Sequence, residues 1–134
     1  MASIAINLGD AFLIDTPNKD KGLKSEHLYI AIAQTSESKY LFVNVTTRRS
    51  SSENVCVLLP GSGVPSFIVH ESVIAYKFAR EIDATELAGL ITVGSPIPKG
   101  SCSPTVLAQI QQGGLVSKRL MNKYKTSLKA FLEI

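Results

Sequence analysis

The sequence predicts an α+β fold: a small antiparallel β-barrel or strongly bent sheet in the first part, with C-terminal helices packed on it. Three observations carry this. Residues 27–34 and 40–47 alternate apolar and mixed positions with the period of two that marks half-buried strands. Helix-start signals and helical spacing appear only from Asp83 onward. No linker composition interrupts the 134 residues, so the chain reads as one domain, strand-rich over 8–80 and helical over 83–134. That length can bury an adequate core without disulfides or metal.

Gly9-Asp10 leads into a short apolar run, Ala11-Phe12-Leu13-Ile14, expected as the first strand. Residues Asp15 to Glu26 are polar, carry Pro17 and Gly22, and are expected as a long loop. His27 to Gln34 forms the second strand, with Leu28, Ile30 and Ile32 on one face. Tyr40 to Thr47 forms the third, with Leu41, Val43 and Val45 on its aliphatic face. Tyr40, Phe42, Asn44 and Thr46 look the other way, toward the C-terminal helices or a ligand.

Asn54 to Leu59 is apolar on both faces and reads as a central strand. Pro60-Gly61-Ser62-Gly63 is a turn, and Ser66 to His70 and Val73 to Ala79 read as further strands, with a helical turn as the alternative for the latter. Asp83-Ala84-Thr85-Glu86 has the spacing of a capping box before a short helix. Ser103-Pro104 starts another helix, which Gly113-Gly114 is expected to end. Ser117 is expected to cap the last helix, docked through Met121, Tyr124, Leu128 and Phe131.

Composition is that of an ordinary globular chain, 45% hydrophobic and 19% charged, and a net charge of +3 permits a polyanionic partner without requiring one. Cys56 and Cys102 are too few for a disulfide framework and lack metal-ligand spacing. The N-terminus lacks a signal-peptide pattern and no stretch has the apolar length of a membrane span, so a cytoplasmic protein that does not engage the membrane, with reduced thiols, is expected. Phosphate-loop, dinucleotide and serine-elbow motifs are missing, and no cofactor or metal is expected.

Four groups of residues could carry chemistry. Thr46, Thr47, Arg48 and Arg49 place hydroxyls and guanidiniums at a strand end, a set that can hold a phosphodiester and stabilise its pentacoordinate charge. The bland alternative is a strand end followed by solvated arginines. His70 and Ser72 could share a face, with His70 as a general acid or base; adjacency on a strand turns Glu71 away from it. His27 stands where the long loop enters the sheet, next to Tyr29, which could stack a base, and after Lys21 and Lys24, which could meet phosphate. Lys118, Arg119, Lys123, Lys125 and Lys129 make the last helix basic, the usual state of an outer helix face.

Residues 8–60, with Gly9-Asp10, a long polar loop, the aliphatic strand from Leu28 to Ala33, and a strand ending in Thr46-Thr47 before a basic loop, resemble the MazF/PemK-type toxins of toxin–antitoxin modules. The resemblance implies an SH3-like barrel with appended helices, a homodimer, and a metal-free endoribonuclease inhibited by a cognate antitoxin. Thr46 or Thr47 would supply the strand-end hydroxyl, and the loop from Asp15 to Glu26 would cover the RNA groove. The family's Arg-Pro before the second strand is replaced here by Glu26-His27, and its proline before the hydroxyl by Asn44-Val45. The leading expectation is thus an endoribonuclease acting on single-stranded RNA, with Thr46, Thr47 and Arg48 on phosphate and His27 or His70 transferring protons. The alternative is a non-catalytic module on the same barrel that binds a protein or a nucleic acid.

Overall fold

Alternating aliphatic residues let three consecutive segments pair as a meander, which forms the centre of the computed structural model. It describes residues 4–18, 23–50, 52–61 and 63–134. Strand β1 (Asp10–Asn18) pairs with β2 (Leu23–Gln34), and β2 with β3 (Lys39–Thr47). After β4 (Val57–Leu58), strand β5 (Ser72–Asp83) returns along the free edge of β3. Helix α1 (Ala84–Leu90), β6 (Gly100–Ser101), α2 (Pro104–Val116) and α3 (Asn122–Leu132) complete the chain. All pairings are antiparallel, in the order β4-β5-β3-β2-β1-β6, and the sheet curls into a half-barrel.

Two irregularities accompany the curl. Pairing steps from Ala31↔Phe42 to Ala33↔Leu41, leaving Ile32 extra on β2. Between Phe42↔Arg80 and Asn44↔Ala75, the single residue Val43 of β3 is matched by the β5 segment from Tyr76 to Ala79. Such bulges bend a strand, increase its twist and re-aim its side chains.

The curled sheet buries both faces. On the aliphatic face, Leu28, Ile30, Leu41, Val43 and Ile74 share one cluster with Val106 and Ile110 of α2, Leu120, and Leu128 of α3. On the aromatic face, Phe12, Tyr29, Phe42 and Ile82 cluster with Leu87 of α1, and Ile4, Ile6 and Leu8 pack against them. Phe12 and Phe42 meet edge-on, their ring centroids 5.9 Å apart. Phe42 is therefore covered by α1 and the N-terminal segment, not by the C-terminal helices.

Several expected boundaries move. Of the expected loop from Asp15 to Glu26, the described residues are strand: β1 and β2 stay paired from Asp15↔Glu26 to Asn18↔Leu23, and residues 19–22 lie outside the described residues. Backbone hydrogen bonding can extend a hairpin without an apolar face, so composition does not reveal it. The apolar run from Asn54 to Leu59 pairs only at Val57–Leu58, on the sheet edge; Cys56 and Leu58 are buried while Val55 and Leu59 remain exposed. Ser66 to His70 is not a strand, because the Ile68 N–H closes a turn onto the Pro65 carbonyl at 2.9 Å.

Asp83 caps α1 as expected, its carboxylate accepting from the Thr85 N–H at 2.9 Å. That hydrogen bond, with those from the Thr85 and Ser38 hydroxyls, holds the Asp83 carboxyl below its ordinary value of 3.8. Ser103 caps α2 by accepting from the Val106 N–H. Gly113 and Gly114, however, do not end α2. They thin it where it crosses other elements: a Cβ on Gly113 would collide with the Tyr76 hydroxyl, and one on Gly114 would lie 2.9 Å from Leu128 Cδ2. Ser117 closes the turn after α2 by accepting from the Arg119 and Leu120 N–H groups, so α3 starts only after Met121. The inward stripe consequently falls on Leu120, Tyr124, Leu128 and Leu132, while Met121 and Phe131 are exposed.

Two predictions test this packing. Gly113→Ala should destabilise the chain by ~2–4 kcal/mol in urea denaturation, through overpacking and loss of the Tyr76 hydrogen bond. Gly89→Ala, on α1 with nothing within 4 Å of the added Cβ, should be neutral or stabilising by up to ~1 kcal/mol. Because the Asp83 carboxyl is depressed, its contribution is present above 3.8 and lost as pH falls through its lower folded value. Acid unfolding of Asp83→Asn should accordingly show a shallower loss of stability in that window than the unaltered chain.

Candidate functional site

The end of β3 lies between two cavities. Alternation along β3 sends Val45 and Thr47 toward the aliphatic face and Asn44 and Thr46 toward the aromatic face. A cavity of about 280 Å³ is lined by Val45, Thr46 and Thr47 on one side and by Phe67, His70 and Ser72 on the other. A second, also about 280 Å³, is lined by His27, Tyr29, Asn44, Thr46 and Phe78. Thr46 belongs to both walls. The fold thus brings Thr46, Thr47, His70 and Ser72 around one cavity, and Thr46, His27 and Tyr29 around the other.

Each group is held by local structure. Ser72 is buried, and its hydroxyl donates to the His70 carbonyl at 2.9 Å, fixing the backbone that carries the exposed imidazole. Tyr29 is 5% exposed, and burial pushes its hydroxyl up from the ordinary value while Arg80 draws it back. The Arg80 guanidinium stands 6.0 Å from the Tyr29 ring centroid. The phenol is therefore a neutral hydrogen-bond donor at neutral pH. Asn44, 4% exposed, brings an amide to the same cavity. Burial pushes the Cys56 and Cys102 thiols up to about 11 and about 12, away from the reactive thiolate form.

The arginines following β3 stand elsewhere. Arg48 Nη1 donates to Glu71 Oε2 at 2.7 Å, and its backbone N–H donates to the Glu71 carbonyl. This is the one ion pair among the described residues, and neither Arg48 nor Arg49 lines the cavities given above. Lys21 lies outside the described residues, as does the side chain of Lys24. Among the described residues, no group of three or more His, Cys, Asp or Glu is placed to hold a metal ion, and no helix is long and apolar enough to cross a membrane.

Sequence reasoning missed Phe67, Phe78 and Arg80 as neighbours of the site. Only Tyr76-Lys77-Phe78, a lysine between aromatics, offered a signal. Strict alternation would put Tyr76 and Phe78 on one face, whereas Tyr76 is fully buried and Phe78 is 54% exposed. No protein-family model matches the chain, and no curated protein matches it significantly.

The Arg48–Glu71 pair is solvent-exposed, at 41% and 46% for the two side chains. A double-mutant cycle of Arg48→Ala and Glu71→Ala should return a coupling below ~1 kcal/mol that fades in 1 M salt. A larger, salt-insensitive coupling would show that the pair locks the strand end.

Proposed function

We propose that this chain is a MazF/PemK-like, toxin-type endoribonuclease that cleaves single-stranded RNA without metal, on a half-barrel of SH3-like type. The observation that carries the reading is the sharing of Thr46 between the cavity of His70 and the cavity of His27. A strand of RNA passing over the end of β3 would meet both imidazoles, with the Thr46 hydroxyl donating to the phosphate between them.

In this mechanism one neutral imidazole takes the proton of a ribose 2′-hydroxyl. The oxygen attacks the adjacent phosphorus, and the bond to the 5′-oxygen breaks. The other imidazole, protonated, gives its proton to that leaving oxygen. The products are a 2′,3′-cyclic phosphate and a 5′-hydroxyl, with no net redox change. Thr47 and Tyr29 add hydrogen-bond donors near the phosphate, and Phe67 and Phe78 offer surfaces for bases. Arg48 meets Glu71 at the exposed strand end and lines neither histidine cavity. A cognate antitoxin, a homodimer and a cytoplasmic setting accompany this reading.

One observation favours a second reading, a non-catalytic module that binds a protein or nucleic acid. Among the described residues, neither histidine cavity has a Lys or Arg in its wall, whereas transition-state charge on phosphate usually demands one.

The assay is cleavage of a varied single-stranded RNA panel in EDTA. Cleavage with a bell-shaped pH profile is expected. His27→Gln and His70→Gln should each slow it by about 10²- to 10⁴-fold, with little effect from Arg48→Ala. Intact RNA across the panel would remove the nuclease and leave the binding module.

A further inference from the structure

Among the described residues, cationic groups line not the two histidine cavities but a third, next to them. This cavity, about 150 Å³, is lined by Lys77, Phe78, Arg119 and Glu53, and it shares Thr46 and Phe78 with the cavity of His27. Its volume is well below the ~300–1,000 Å³ of sites for drug-sized ligands, and suits a single ring system.

Its walls come from two distant parts of the chain. The β5 irregularity opposite Val43 carries Lys77 and Phe78 outward. Phe78 is 54% exposed, with the Lys77 ammonium 4.9 Å from its ring centroid. Arg119 lies in the turn between α2 and α3. Its backbone N–H donates to Ser117 Oγ at 3.1 Å, and that hydroxyl donates to Glu53 Oε2 at 2.6 Å. Glu53 thus ties the Arg119 turn to the segment before β4. Lys77 and Arg119 form no ion pair among the described residues. Two cations against the one Glu53 carboxylate leave this wall with one net positive charge. An exposed aromatic face beside unpaired cations is the combination that holds single-stranded nucleic acid, by stacking and by phosphate neutralisation.

We propose that Lys77, Phe78 and Arg119 form a subsite for the nucleotide next to the dinucleotide step whose phosphate lies at Thr46, with its base on Phe78 and its phosphate between Lys77 and Arg119. The proposal rests on the reading of the chain as an RNA-acting domain. The subsite takes RNA whether or not the histidines cleave it. It implies that oligonucleotides, not mononucleotides or dinucleotides, are the effective ligands.

The test is fluorescence anisotropy with a labelled 2′-O-methyl RNA hexamer, which lacks the free 2′-hydroxyl needed for cleavage, and with an unlabelled dinucleotide as competitor. Phe78→Ala should weaken hexamer binding roughly 5- to 150-fold, and Phe78→Tyr should restore it. Lys77→Gln and Arg119→Gln should each weaken the hexamer and reduce the slope of log affinity against log salt by about 0.7, while leaving the dinucleotide unchanged. Hexamer affinities equal to that of the unaltered chain in Phe78→Ala, Lys77→Gln and Arg119→Gln would overturn the subsite while RNA binding itself stands. An unaltered chain that binds no RNA overturns the subsite and the RNA reading together. Variant-sensitive binding, combined with no cleavage of ordinary RNA, supports the subsite and removes only the nuclease chemistry.

Discussion

Tyr76 joins the sheet to the helical layer. It is fully buried, its hydroxyl donates to the Ile110 carbonyl at 2.7 Å, and its ring lies where a side chain on Gly113 would stand. Burial, with Cys56 and Glu53 beside it, pushes the phenol far above its ordinary range, so it stays a neutral donor. A tyrosine can sit this deep only because its hydroxyl has a partner, since an unpaired buried polar group is costly. Gly113 and Gly114 supply the close approach, and Gly114 does the same for Leu128 of α3. One aromatic side chain thereby sets the distance between β5 and α2, and through Gly114 the placement of α3.

The same anchor bears on the site. Tyr76 opens the segment of β5 that exceeds its partner strand. With Tyr76 held inward, the surplus backbone is accommodated by the residues after it, and Lys77 and Phe78 emerge at the surface. Phe78 then walls two cavities that meet at Thr46. The core contact and the candidate nucleic-acid surface are consecutive residues of one irregular strand. Packing and site are coupled through backbone length more than through a network of side chains.

Charge is arranged with similar economy. Glu71 takes the guanidinium of Arg48, the most obvious phosphate ligand in the sequence. Glu53 is bound by Ser117, whose carbonyl also accepts from Lys125 at 2.6 Å. Glu53 Oε1 is buried with no hydrogen-bond partner among the described residues. Among the described residues, Lys77 and Arg119 face the third cavity, and the sequence places them far apart and in no motif.

Local patterns were legible wherever the physics is local. Period-two alternation identified β2 and β3 and assigned Leu28, Ile30, Leu41, Val43 and Val45 to a common aliphatic core. Cap chemistry identified the starts of α1 at Asp83 and α2 at Ser103. Thr46, Thr47, His27 and His70 stood out by residue type, and all four line cavities at the end of β3. The Glu71 partner of Arg48, the tight crossing at Gly113, the turn closed by Ser117 and the exposure of Phe78 emerge only in three dimensions. A guanidinium goes to whichever carboxylate the fold delivers, and a glycine pair reads alike as a helix stop or as a crossing point. A bulge exists only relative to its partner strand, so no window of one strand can show it. The sequence by itself determined the faces and the caps, because those depend on neighbours a few residues away. Tertiary structure decided which charges are free and which aromatic is exposed, because both depend on partners from distant parts of the chain.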